Sequence, residues 1–139
     1  MIRRNGVRAA LAAVMLCLTG GFAMADAPPE GPYGKWSVAE IGGQGVVAKA
    51  DVTLEIGADG KAFGSGGCNR FRTSVKVADG AISFMPAAAT RMMCEPEISG
   101  QEMKFFGALD AVRGWKWDGP ALILLDADEK IVLRLRNAS

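Results

Sequence analysis

The sequence predicts a small α+β domain built on an antiparallel sheet, and three observations carry that expectation. Several short segments alternate apolar and polar residues with a two-residue period, Asp-Gly pairs recur between them, and only the stretch from Ser99 to Gly114 repeats its apolar residues at helical spacing. Strands, then a helix, then strands is the order of an antiparallel α+β fold, whereas a parallel sheet would alternate strand and helix throughout.

The first 25 of the 139 residues read as an export leader rather than as fold. Arg3, Arg4 and Arg8 supply a positive start, Ala9 to Leu18 an apolar run, and Ala23-Met24-Ala25 a small-x-small cleavage site before Asp26. The apolar run is too short for a permanent anchor, and no second candidate follows, so no stable membrane span is expected. Cys17 precedes cleavage and would count only as a lipid acceptor. Leu16 stands where a lipobox needs a small residue, so a lipoprotein is not expected. Three of the 16 basic residues and none of the 15 acidic ones lie in the leader, leaving 13 basic against 15 acidic and a mature charge of −2. Such a chain lacks the basic footprint that dominates nucleic-acid affinity, so nucleic acid is not an expected partner.

Residues 26–33 are rich in proline, alanine and acid and read as a flexible lead-in, with the domain running over 34–139. A strand from Lys35 to Ile41 sets Trp36 and Val38 on one face and ends at Gly42-Gly43-Gln44-Gly45. Val52, Leu54 and Ile56 then alternate with Asp51, Thr53 and Glu55, the period of a half-buried strand. A two-residue turn at Asp59-Gly60 would set Ile56 opposite Phe63, both facing the core. The same turn chemistry at Asp79-Gly80 would set Val77 opposite Ile82 and Val75 opposite Phe84. The glycines before Cys68 suggest a bulge or a close backbone approach, and Met85 to Pro96 has no clean period, as expected of an irregular crossing segment. Ser99 and Glu102 form a capping-box pattern ahead of Phe105, Leu109 and Val112, with Met103 and Phe106 alongside and Gly114 as the stop. Strands then return at Trp115 to Trp117, Ala121 to Leu125 and Ile131 to Arg136, the last with Ile131, Leu133 and Leu135 inward and Arg134 and Arg136 outward.

The mature chain keeps one even pair of cysteines, Cys68 and Cys94. In an exported chain such a pair reads as a disulfide, the alternative being two separately buried thiols. Closing a ring of about 27 residues would stabilise the fold by roughly 3 to 4 kcal/mol in the loop-entropy picture. Redox catalysis is disfavoured, because the spacing is unlike Cys-x-x-Cys and no histidine is present to activate a thiolate. The absence of histidine also removes Ser-His-Asp and Cys-His catalysis and every histidine-based metal site. Asp59, Asp79 and Asp118 each precede a glycine and read as turn formers. Asp126, Asp128 and Glu129 lack EF-hand spacing, and Met92-Met93-Cys94 loses its best soft ligand if Cys94 is oxidised. No metal or other cofactor is therefore expected. A 68–94 bridge would bring Arg70 and Arg91 together, either to grip an anion or to hydrogen-bond backbone and turn acids. Trp36, Phe71, Trp115 and Trp117 read first as core and rim residues and second as the lining of an apolar groove.

The segments Gly67-Cys68-Asn69-Arg70-Phe71 and Thr90-Arg91-Met92-Met93-Cys94, joined by a sheet-like stretch and followed by a helix, resemble the signature of the META/HslJ family. Gly34-Lys35-Trp36 before the first strand and the final hairpin fit the same pattern, so the resemblance covers nearly the whole mature chain. It implies a partly open, barrel-like antiparallel sheet packed on one main helix, in a protein of the bacterial envelope, with links to heat shock and novobiocin resistance in some members. It implies no established catalytic activity, so Gly67, Asn69, Arg70, Phe71, Thr90, Arg91, Met92 and Met93 carry over as a structural motif, not an active site. The expectation is a non-enzymatic periplasmic or secreted protein, monomeric, that serves stress or antibiotic tolerance by binding an unidentified envelope protein or ligand. The alternative is a carrier or secretion-pilot-like module holding lipid or hydrophobic peptide in an apolar groove, an analogy between folds.

Overall fold

The computed structural model describes residues 31–139. The leader over 1–25, Cys17 and the lead-in as far as residue 30 lie outside the described residues. Ten strands and one helix follow in order: β1 (Gly34–Ile41), β2 (Gln44–Gly45), β3 (Thr53–Ile56), β4 (Lys61–Ser65), β5 (Arg70–Ala78), β6 (Ala81–Phe84), β7 (Ala88–Ala89), α1 (Pro96–Ala111), β8 (Gly114–Asp118), β9 (Ala121–Leu125) and β10 (Ile131–Asn137). This is the α+β class read from the sequence. No helix among the described residues is long and apolar enough to cross a membrane.

Every pairing is antiparallel. The sheet runs β10-β9-β8-β6-β5-β4-β3-β1-β2, and β10 also pairs with β1, so the strands close into a ring. The seam between β6 and β8 is the weakest join, with one registered pair, Ala81 opposite Gly114. Two backbone bonds reinforce it, Ile82 N–H to the Arg113 carbonyl and Trp115 N–H to the Gly80 carbonyl, each 3.2 Å. The ring interior is apolar and filled. Leu54, Leu122, Leu124, Leu133 and Leu135 are fully buried, and Phe105, Leu109 and Val112 enter the same core from the helix. Burial of each such side chain contributes roughly 1.5–3 kcal/mol.

Local patterning decided most strands. Trp36 and Val38 share the inner face of β1, and Val52, Leu54 and Ile56 are all buried. The β5–β6 hairpin has the expected register, Val75 opposite Phe84 and Val77 opposite Ile82. The β3–β4 hairpin differs by one residue, because its loop is four residues long: Gly57 N–H closes on the Lys61 carbonyl at 2.8 Å, and Gly60 takes a left-handed φ of 82°. Ile56 therefore faces Ala62, while Phe63 pairs with Glu55 and turns outward, 48% exposed. A slip of one residue exchanges the two faces of a strand. Ile131 is likewise turned out, 43% exposed, by a register shift between Ile131 and Leu133.

The helix starts earlier than its capping-box pattern suggests. Glu95 is the N-cap residue without a side-chain cap, Pro96 opens the first turn, and Ser99 donates its hydroxyl to the Cys94 carbonyl at 3.3 Å. Proline suits that place, because its missing N–H has no intrahelical partner there anyway. The helix stops where Val112 turns extended, so Gly114 is not the stop but the first residue of β8. Met103 is 75% exposed, and the buried face is Glu102, Phe105 and Leu109. At the other end of the chain Gly31 and Pro32 are already buried, and the Pro32 carbonyl accepts the Trp36 indole N–H at 3.0 Å.

Candidate functional site: a buried polar clasp

Among the described residues the buried polar side chains are Asn69 and Glu102, and they meet. The chain leaves β4 through Ser65 and Gly66, turns at Gly67 with φ of 109°, and enters β5 after Asn69. A Cβ on Gly66 would lie 2.7 Å from the Glu102 side chain, so glycine is what allows the loop to approach the helix. Glu102 Oε2 accepts the backbone N–H groups of Cys68 at 3.0 Å and Asn69 at 2.6 Å, and Oε1 accepts Asn69 Nδ2 at 2.6 Å. The rest of the Asn69 amide is spent on the crossing segment. Its Oδ1 accepts the Thr90 hydroxyl at 2.9 Å and the Met92 N–H at 2.7 Å, and Nδ2 also donates to the Met92 carbonyl at 3.3 Å. All four hydrogen-bonding positions of the amide are filled. Thr90 Oγ1 in turn accepts the Arg70 N–H at 3.2 Å.

Cys68 and Cys94 are joined as a disulfide, Cα to Cα 6.0 Å, so a covalent bond doubles the polar one between the same loop and the same crossing segment. The motif residues thus fall in one place, but with different tasks. Cys68, Asn69, Thr90, Cys94 and the Met92 backbone form the clasp. Phe71 is buried, stacking with Phe105 and Phe106 at ring distances of 5.5 Å. Arg70, Arg91 and Met93 are exposed, and among the described residues neither guanidinium enters an ion pair. Glu102 is the residue that sequence reasoning placed wrongly, as the closing half of a capping box. One signal was available: Glu102 stands on the same helical stripe as Phe105 and Leu109, where a charged residue needs a dedicated partner.

Of the four aromatic residues named for a groove, Trp36, Trp117 and Trp115 adjoin one another and Phe71 lies apart. Trp36 lies against Trp117 at 5.8 Å and Trp117 against Trp115 at 5.9 Å, whereas Phe71 belongs to the helix cluster. One surface cleft touches Trp36 and another touches Phe71. A cleft of about 360 Å³ opens between β2 and α1, lined by Ile41, Gln44, Val47, Gln101 and Lys104. Gln101 Oε1 there accepts the Val47 N–H at 2.7 Å, and its Nε2 is buried without a hydrogen-bond partner among the described residues. Among the described residues no group of three or more cysteine, aspartate or glutamate side chains is gathered as a metal site would need.

A ringed antiparallel sheet with one helix, clasped through an Asn-Glu pair and a disulfide, defines the class of this domain. The model of the META domain matches residues 32–139, and the chain belongs to that family. Two solved NMR structures are similar. One covers 76% of this chain and 90% of its own at 23% identity and a TM-score of 0.60. The other, a protein from Burkholderia xenovorans, covers 76% and 82% with the same identity and TM-score. A DUF4847 family protein from Bacteroides vulgatus matches more distantly, at 17% identity and a TM-score of 0.47 over 61% of this chain and 57% of its own. The likeness to the two NMR structures concerns the fold alone. No curated protein matches the sequence.

Proposed function

We propose that the protein is a non-catalytic binding module, exported to the periplasm or beyond, that serves stress or antibiotic tolerance of the novobiocin type by engaging a ligand or an envelope partner. The observation that carries this reading is the clasp itself. The buried carboxylate and buried amide, the groups most suited to chemistry, are saturated by partners inside the fold. A catalytic group must reach a substrate atom, and these face backbone and each other. A disulfide between the two motifs supports an oxidising compartment. The carrier alternative has less support, because the ring interior is packed with leucine and phenylalanine side chains and leaves a lipid tail only the surface clefts.

The reading is tested in the host. A strain lacking the gene should become more sensitive to heat or novobiocin, and the wild-type chain supplied with its leader should restore tolerance, whereas the same chain without residues 1–25 should not. Equal sensitivity of parent and deletion strains under both stresses would overturn it.

A further inference from the structure

The outer face of the sheet carries an asymmetry that the clasp does not use. Registered pairs place residues in rows across it. One row runs Lys35, Glu55, Phe63, Arg72, Ala88; the next, Ser37, Thr53, Ser65, Arg70; a third pairs Lys61 with Ser74; a fourth pairs Lys76 with Ser83. Met85 extends the third row, its N–H donating to the Ser74 carbonyl at 2.9 Å, and Arg136 ends the second, opposite Ser37. Lys35, Lys61, Arg70, Arg72, Lys76 and Arg136 are all exposed, and Glu55 is the one acid in these rows. Among the described residues the ion pairs join Arg134 to Glu40 and Asp118, so none of the six cations is neutralised by one. Two large apolar side chains stand out among them, Phe63 at 48% exposure and Met85 at 55%.

We infer that this face docks on an anionic phospholipid bilayer through its β4–β5 part, with Phe63 and Met85 entering the headgroup boundary and Lys61, Arg70, Arg72 and Lys76 beside them meeting lipid phosphates. Charge complementarity chooses the partner, since each basic residue held near an anionic surface adds about 1 kcal/mol of attraction. The apolar pair favours a bilayer over single-stranded nucleic acid. A nucleic-acid platform needs a series of aromatic rings for successive bases, and these rows present a single ring, that of Phe63. A headgroup boundary takes up apolar area in general and asks for no series of rings. The inference does not depend on the tolerance reading.

The test is flotation of the full chain with vesicles of phosphatidylcholine alone and with about one third phosphatidylglycerol. The wild type should float with the anionic vesicles, and high salt should release it. Arg70→Glu/Arg72→Glu and Phe63→Ser/Met85→Ser should each weaken the partition at least about tenfold. Lys116→Glu, on β8, should leave it unchanged. All chains carry the same N-terminal segment, so the differences report the face alone. Thermal melts identify any variant that fails to fold, and Lys61→Glu/Lys76→Glu then replaces it. Equal partition of wild type and folded face variants would overturn the proposal. So would tighter binding to a single-stranded oligonucleotide than to the anionic vesicles, which would reassign the face to nucleic acid.

Discussion

Glu102 and Asn69 are worth more to this fold than their place in the sequence suggests, because each satisfies several buried or half-buried groups at once. Removing the carboxylate in Glu102→Ala strands two backbone N–H groups and one side-chain N–H. A buried unsatisfied group costs about 1–3 kcal/mol, so the variant should lose roughly 3–5 kcal/mol, read as a lower midpoint in denaturant titration. Glu102→Gln keeps the shape and one acceptor and should fall between the two. Equal stability of all three chains would mean that the clasp carries no energy. Two glycines make an opposed pair at the same scale. A Cβ on Gly64 would run into the Thr53 carbonyl oxygen, so Gly64→Ala should destabilise by about 1–3 kcal/mol. Gly107 lies inside α1 with nothing within 4 Å of the added carbon, so Gly107→Ala should stabilise by roughly 0.5–1 kcal/mol. Thermal melts of both variants check the signs.

Between elements, the disulfide and the Asn69 amide tie the β4–β5 loop to the segment that leads into α1, the helix that carries Phe105 and Leu109 into the core. The bridge spans 26 residues of sequence. Replacing both cysteines by alanine should therefore cost roughly 3–4 kcal/mol and lower the melting temperature by about ten degrees or more. Reductant should produce the same shift in the wild type and none in the double variant. An unchanged melting curve in calorimetry would remove the staple from the account. What the sequence disclosed at this scale followed how local each signal is. The Asp79-Gly80 hairpin was legible to the register, because a two-residue loop fixes its own strands. The Asp59-Gly60 hairpin was not, because the same dipeptide there lies in a four-residue loop that Gly57 N–H closes on the Lys61 carbonyl, and the one-residue error hid the outward turn of Phe63. β7 is two residues long and exists through its pairing with β5, so no periodicity could announce it.

At the scale of the whole molecule, β1 is the first strand described and β10 the last, and their pairing turns an open meander into a ring. No local pattern encodes that closure; it follows from the inward faces of both strands sharing one core, Trp36 and Val38 with Leu133 and Leu135. The motif residues were legible as a group, since two short segments at a fixed separation resemble a known family, but their division of labour was not. A capping box and a core-facing carboxylate look alike until the opposite loop is in place. A chain ending before Ile131 should lose the cooperative melt altogether, because both neighbours of β10 would become bare edges. Placement of this disulfide-clasped domain on the oxidising side of the envelope is a proposal. Its most direct test is the intact mass of the protein purified from its host, taken denatured without reductant. The account predicts a chain that begins at Asp26 and is two hydrogens lighter than its reduced form. A full-length chain carrying free Cys68 and Cys94 would contradict it.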